Sequence, residues 1–323
     1  LQKAGEAHVR PPGLVRGCID IAERMLYDGC KVGMYMKNRK IRGRILPYGM
    51  LLPMIAIMLG LVYYPIMVTL TYSVQNMELT KPNPEKFVGL NNYGDVIKDP
   101  QVRDAFFNSL YILVLVIVLT LALGLAFSLL LKRDTKIKGV LMGFAIVPWA
   151  LPPIVNGVIW RWVFHPNNGI INRLFHTDVM WLTDKWLILS IVALVVAWRN
   201  IPLASITFLS AMQNIPRHLY EAAEIDGSGP VSSFGKITMP LLRPAIGIIL
   251  TTTSINALNV FDEIISLSGF ANATKTVMVE TYLRTFKFLN FGDGSALIYI
   301  MMVFTSIFGA VYARKVYKEV EYI

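Results

Sequence analysis

Glu221-Ala222-Ala223-Glu224-Ile225-Asp226-Gly227, followed nine residues later by Ile237-Thr238-Met239-Pro240, is a short polar stretch between long apolar runs of a 323-residue chain. Gly227 can take the left-handed conformation that ends a helix, so Pro216 to Asp226 reads as one helix with Pro216 in its first turn. Ser228 then caps a second, shorter helix that carries Phe234 and Ile237. Isolated helices below about 12–15 residues do not persist in water, so this one must pack on something.

The surroundings are a membrane protein. With 54% hydrophobic residues, 16% charged residues and a mean hydropathy of +0.52, the chain is far more apolar than a soluble domain of its length. Six apolar runs, at about 46–73, 106–131, 138–163, 186–212, 241–265 and 294–313, are long enough to span a bilayer. Pro148, Pro152 and Pro153 interrupt the third, which is tolerated where a neighbouring helix or a wet path satisfies the freed backbone; an inner helix is expected there.

The formal charge of +10 would suit nucleic acid, but cytoplasmic loops also collect Lys and Arg, and only their distribution decides. Lys37, Arg39, Lys40, Arg42 and Arg44 precede the first run. Lys132, Arg133, Lys136 and Lys138 fill the second connection, and Arg314, Lys315 and Lys318 follow the last run. Alternating sides brings all of these together with the 221–240 stretch, which places them and both termini in the cytoplasm and leaves no reason to invoke nucleic acid. Glu221, Glu224 and Asp226 run against this basic trend; they suit pairing with basic residues of a partner protein, and equally a solvated face.

The 221–240 pattern resembles the EAA loop of the membrane subunits of bacterial ABC importers: Glu-Ala-Ala, three residues, Gly, nine residues, Ile, one residue, Leu-Pro, with Met239 here in the Leu position. In the loop before the second run, Phe87-Val88-Gly89-Leu90-Asn91-Asn92-Tyr93 resembles the Phe-x-Gly-Leu-x-Asn-Tyr stretch of the carbohydrate-uptake branch. Phe261-Asp262-Glu263, leading through Gly292-Asp293-Gly294 into the last run, resembles the half of the permease pair that is like the first maltose-type or glycerol-phosphate-type subunit.

The resemblance implies an all-α polytopic membrane protein, a six-helix permease bundle over residues 46–315 with the EAA loop at 213–240. It places the chain in the bacterial inner membrane; residues 1–45 have no counterpart in it, and they and 316–323 read as cytoplasmic tails from the Lys and Arg distribution. Implied partners are a second homologous permease, two ATP-binding-cassette ATPase subunits, an extracytoplasmic solute-binding protein, a sugar and membrane lipid. Tyr220, Glu221, Ala222, Ala223, Asp226, Gly227, Ile237 and Pro240 then form the joint to the ATPase.

No bond-making chemistry is legible. Between Gly229 and Lys236 a phosphate loop is mimicked, but Pro230 and Ile237 stand where its Gly and its Ser or Thr belong, so ATP and Mg are expected on a separate ATPase, with no cofactor on this chain. His8, His165, His176 and His218 lack metal spacing. Asn272-Ala273-Thr274 is a chance glycosylation tripeptide. Residues 1–45 hold neither a spanning run nor a signal-peptide core, and their mixed pattern suits an interfacial helix or a simple tail; Cys18 and Cys30 read as free thiols.

Polar side chains inside spans usually face a bundle interior or cavity. In the fifth run, Asn256, Asn259 and Glu263 recur at helical spacing on one face, with Asp262 beside them and Thr251 to Ser254 below. Such a stripe suits the hydroxyls of a neutral sugar; it suits hydrogen bonding between helices equally well. Asn156, Arg199 and Asn200 complete the candidate set. A charge at Arg199 costs at least about 2.5–3.5 kcal/mol, so a wet cavity or a carboxylate is expected beside it. Arg161, between Trp160 and Trp162, reads as an interfacial anchor. An ion-gradient-driven secondary transporter is the alternative function, although no internal repeat is evident.

Overall fold

The computed structural model describes residues 49–81, 86–132 and 138–320. The first tail with Cys18 and Cys30, its basic cluster from Lys37 to Arg44, the basic residues Arg133 and Lys136, and residues 321–323 lie outside the described residues. Among the described residues there is no strand; two isolated bridges, Gln75 to Phe87 and Glu78 to Asn290, are the only β pairing.

Helix α1 (Gly49–Ser73) is apolar and loosens into a π turn over Leu59–Tyr63, just before Pro65, which has no N–H to offer the preceding turn. The described chain divides within α1, at Val68, into two units, the first of which is the α1 segment up to that residue.

The second unit begins with the end of α1 and α2 (Asn91–Lys98). The Phe87–Tyr93 stretch closes this corner: Asn92 Nδ2 donates to the carbonyls of Ser73 and Gln75 at 2.9 and 2.8 Å, and the Tyr93 hydroxyl bonds Ser73 Oγ at 2.8 Å. Gly89 sits at a φ of +64°, where an L side chain is strained. Gly292 is needed for space, since a Cβ there would lie 2.7 Å from the Gln75 carbonyl.

Helix α3 (Pro100–Lys132) starts with proline at its first position and Asp99 as cap, Oδ1 accepting from the Gln101 N–H at 2.8 Å. The third apolar run is two helices, α4 (Lys138–Ala150) and α5 (Pro153–Val163), bent by 103° at Leu151-Pro152. Proline disfavours helical backbone at the residue before it and supplies no donor, so consecutive prolines end one helix and start the next. Asn156 and Gly157 of α5 are buried, whereas among the described side chains of α4 Pro148 alone is buried within this chain. After the short α6 (Ile170–Phe175), α7 (Lys185–Gln213) starts from Asp184, whose Oδ1 accepts from the Trp186 and Leu187 N–H groups.

Helix α7 is the buried axis. Ile188 through Ala197 and Ala204 through Met212 supply buried side chains to two apolar clusters, one at each end. Helix α3 runs beside it in the same direction: Tyr111 meets Ser190 at 2.9 Å near one end, and Gly124 lies against Ala204 nearer the other. A Cβ on Gly124 would stand 2.9 Å from the Ala204 Cβ, so small residues set the separation of the two backbones.

From the C-terminal end of α7 follow α8 (Arg217–Ile225), α9 (Pro230–Leu241) and α10 (Arg243–Leu258), then α11 (Asp262–Ser268), α12 (Val277–Tyr282) and the long α13 (Phe291–Val320). Among the described residues four helices are long and apolar enough to cross a membrane, and up to six spans result if each of two bent pairs counts as one.

The end of the bundle away from α8 is braced by charge. Arg284, just past α12, donates to Glu280 at 2.9 Å, to Asp293 at 3.2 Å and to Asp99; Lys275 reaches Glu280 at 2.6 Å and Gln101 at 3.1 Å. Asn108 and Ser109 of α3 hold the same segment by its backbone, Asn108 donating to the Lys275 carbonyl and Ser109 Oγ accepting from the Val277 N–H. Thr274 of the Asn272 tripeptide is buried in this segment, whereas Asn272 and Ala273 are exposed.

Gly124→Leu is expected to force α3 and α7 apart at a cost of about 1–3 kcal/mol, read as a lower melting temperature of the detergent-solubilised protein, with Gly124→Ala affected less. Burial pushes the Asp99 carboxyl up, but hydrogen bonds from Arg284 and the Gln101 N–H, with the Arg284 and Lys275 charges, outweigh it and hold the group below the usual carboxylate range. Such a group stabilises the fold fully above its unfolded value of about 3.9, and this contribution is lost as pH falls through the lower folded value. Melting temperature is therefore expected to drop below pH of about 4, and Asp99→Asn is expected to melt lower at neutral pH with a shallower acid drop.

Candidate functional site

Two sets of residues carry chemistry beyond packing, one along the middle of α7, α10 and α11, the other at α8. In the first, the helix expected over 241–265 ends at Leu258. Asn259 ends it: both its N–H and its Nδ2 donate to the Ile255 carbonyl, at 3.2 and 2.9 Å, and its side chain competes with helix continuation in this way. The chain turns through Val260 and Phe261 before α11 begins at Asp262. Asn256, Asn259 and Glu263 therefore do not share one helix face, and the expected stripe is corrected accordingly: Asn259 is exposed, Asn256 and Asp262 are half-buried, and Glu263 is buried.

The break turns Glu263 toward α7. Its Oε1 lies 3.6 Å from Arg199 Nε, with the two side chains 4% and 21% exposed respectively. Arg199 thus has the carboxylate partner that an arginine in an apolar bundle needs, although that oxygen accepts no hydrogen bond among the described residues. At the next residue of α7, Asn256 Nδ2 donates to Asn200 Oδ1 at 2.7 Å, and Asn200 Nδ2 donates to the Val196 carbonyl at 2.8 Å. These two amides tie α10 to α7. Asn156 is fully buried, donating weakly to the Val195 carbonyl at 3.4 Å, with its Oδ1 unpartnered. Beside it, Gly157 admits α11: a Cβ there would stand 1.7 Å from Ser266 Oγ. Arg161 is exposed and reaches the Ser266 carbonyl at 3.5 Å, so it anchors on α11.

At the second set, α8 ends as its sequence requires. Gly227 has a φ of +75°, its N–H donates to the Glu224 carbonyl at 3.0 Å, and the Ser228 N–H donates to the Ala223 carbonyl at 2.8 Å. Ser228 is used in this way and does not cap the next helix; Gly229 caps α9, with Pro230 at its first position. Tyr220 hydrogen-bonds Thr238 at 2.8 Å, and the Lys132 ammonium lies 5.1 Å above its ring, which ties α8 to α9 and to the end of α3. These residues line a groove of about 360 Å³ with Glu224, Ser233 and Phe234.

No residue of α8 is buried. Glu221 pairs with its own neighbour Arg217 at 3.2 Å, Asp226 is exposed, and Ala222 is exposed while Ala223 is half-buried. Ile225 is 87% exposed and Val231 86%. Ile237 and Pro240 are half-buried, and Leu242 behind them is buried in the second apolar cluster, so a packed frame carries an exposed outer helix.

Residues 118–314 match the family described as binding-protein-dependent transport system inner membrane components. The chain belongs to this family. The permease is 32% identical over 284 residues to a trehalose/maltose transport system permease of Thermococcus litoralis, covering 85% of this chain and 95% of the relative. It is 30% identical over 277 residues to a sulfoquinovosyl glycerol transport system permease of Agrobacterium fabrum, covering 84% and 90%. Its fold matches a solved bacterial ABC transporter involved in import of the acidic polysaccharide alginate, with a TM-score of 0.75 at 20% identity over 87% of this chain and 99% of that one. Nothing in these comparisons favours the ion-gradient-driven alternative.

The Lys275, Glu280, Arg284 and Asp99 network had a partial sequence signal, since Glu280 and Arg284 stand four residues apart on one helical turn. Asp99 lies 185 residues from Arg284, and nothing local announces that pairing. Removing Arg199 leaves the Glu263 carboxylate buried and unpaired, so Arg199→Leu is expected to lower the free energy of unfolding in SDS by on the order of 3 kcal/mol, and the Arg199→Leu/Glu263→Leu double variant by much less.

Proposed function

We propose that this permease subunit provides half of the translocation pathway of an ATP-driven sugar importer and is moved through α8 by a separate ATPase. The observation that carries the reading is α8 itself. It is a short helix with no buried residue, tied to α9 and α3 through Tyr220, with Ile225 on it and Val231 at the start of α9 both exposed. Such a helix gains stability from a groove on a second protein.

In this reading Glu221, Ala222, Ala223, Asp226 and Gly227 meet the ATPase, while Tyr220, Ile237 and Pro240 transmit its movement to α9 and α10. ATP and Mg reside on the ATPase, since this chain has no phosphate loop of its own. The basic residues Lys132 and Arg314, near the α8 end of the sequence-derived topology, support a cytoplasmic α8 and cytoplasmic termini. The two relatives named for sugar or glycoside transport support a sugar-like solute, delivered by an external binding protein to a pathway shared with a second permease. Among the polar side chains of this chain, Arg199, Asn256, Asn259, Asp262 and Glu263 are the candidates to meet that solute, and Asn156 and Asn200 support them from the buried side.

Proteoliposomes containing the whole importer test this. Gly227→Pro cannot adopt a φ of +75° and removes the N–H that Glu224 accepts. It is expected to insert and fold, yet to lose ATP-driven uptake and solute-stimulated ATP hydrolysis. Unchanged uptake by that variant, or purification of the chain without any ATPase partner, would sink the reading.

A further inference from the structure

The relatives of this permease serve solutes of opposite character. Trehalose and maltose are uncharged, whereas a sulfoquinovosyl group carries a sulfonate and alginate is an acidic polysaccharide. Overall similarity therefore does not decide which character this chain accepts, and the charges along its pathway helices must.

Arg199 is the group that would favour an anion. A free guanidinium donates paired hydrogen bonds to phosphate, sulfonate or carboxylate better than any other side chain. Here it is not free: Glu263 Oε1 stands 3.6 Å from its Nε, on the buried side. No hydrogen bond engages its two Nη groups among the described residues, and the side chain keeps 21% exposure. Charge is thus cancelled from behind while donors remain in front. Arg161 and Asp262, the other charged groups on α5 and α11, add one charge of each sign, so the site carries no net charge to attract an anion.

Resting on the importer reading above, we propose that Glu263 is the specificity-determining residue that makes this pathway accept uncharged polyhydroxylated solutes and reject their anionic counterparts. It does so by neutralising Arg199 and turning its Nη edge into a donor for sugar hydroxyls. The device is a form of selection against the wrong ligand: an anion approaching Arg199 finds its charge already cancelled by a buried carboxylate that cannot leave.

The test uses the complex of this chain with its partner permease and ATPases, without the binding protein, so that the membrane site alone is read. Thermal stabilisation is measured with trehalose, maltose and their phosphate esters, and the ratio of half-maximal concentrations between ester and parent sugar is compared among variants. The wild type is expected to prefer the parent sugars. Glu263→Gln keeps the shape of the side chain and frees the Arg199 charge, and is expected to shift that ratio toward the esters by about tenfold or more. The double variant Arg199→Gln/Glu263→Gln, which assembles without a buried lone charge, is expected to restore the preference for uncharged sugar at lower affinity. Wild-type preference for the esters, a ratio that Glu263→Gln leaves unmoved, or a double variant that accepts the esters overturns the proposal. Wild-type chain that never assembles with an ATPase overturns the importer reading instead.

Discussion

A chain surrounded by lipid tails has no water to satisfy its polar groups, so each departure from a regular helix must find its partner inside the protein. This constraint accounts for the irregular parts of the permease. Where Asn259 ends α10, its own side chain binds the Ile255 carbonyl. Where the Leu151-Pro152 break lets α5 turn away from α4, Gly157 brings α5 against α11, and Arg161 reaches the Ser266 carbonyl. Thr251 and Thr252 return their hydroxyls to carbonyls of the preceding turn. Breaks placed side by side in this way make room for Arg199 and Glu263 to meet within the apolar bundle.

The two ends of the second unit are built for different mechanical tasks. At the Arg284 end, ion pairs and the Asn108 and Ser109 side chains bind three separate stretches of sequence together, with Lys275 and Glu280 almost wholly buried. Buried ion pairs add little net stability over an apolar core, but removing one partner is costly, and a network of them resists rearrangement. At the α8 end the contacts are few: one tyrosine hydrogen bond, one cation above a ring and a helix with no buried residue. Segments with little buried surface open at lower free energy than densely paired ones, so the two ends differ in how firmly they are held.

Between them lies α7, which carries Arg199 and Asn200 and is buried for most of its length. It contacts α3 through small residues and α10 through the Asn256–Asn200 amide pair. From α8 the chain continues through α9 into α10, which the Asn256–Asn200 amide pair joins to α7 one residue from Arg199.

Much of this architecture was legible in the chain itself. Apolar runs of spanning length, the helix-ending Gly227 and the prolines at 148, 152 and 153 act through local rules of hydrophobic length and backbone geometry, so the helical class, the outer hairpin and the interrupted third run follow from sequence. The need for a counter-charge beside Arg199 was equally local, because the cost of burying a guanidinium does not depend on where its partner comes from. Which residue answers that need, and the end of α10 at Leu258 that presents Glu263 to it, depended on packing between helices distant in sequence, as did the meeting of Arg284 with Asp99. Sequence alone determined what each segment must hide or satisfy; only the tertiary structure decided with whom, because a polar group records its demand in its own chemistry but its partner only in space.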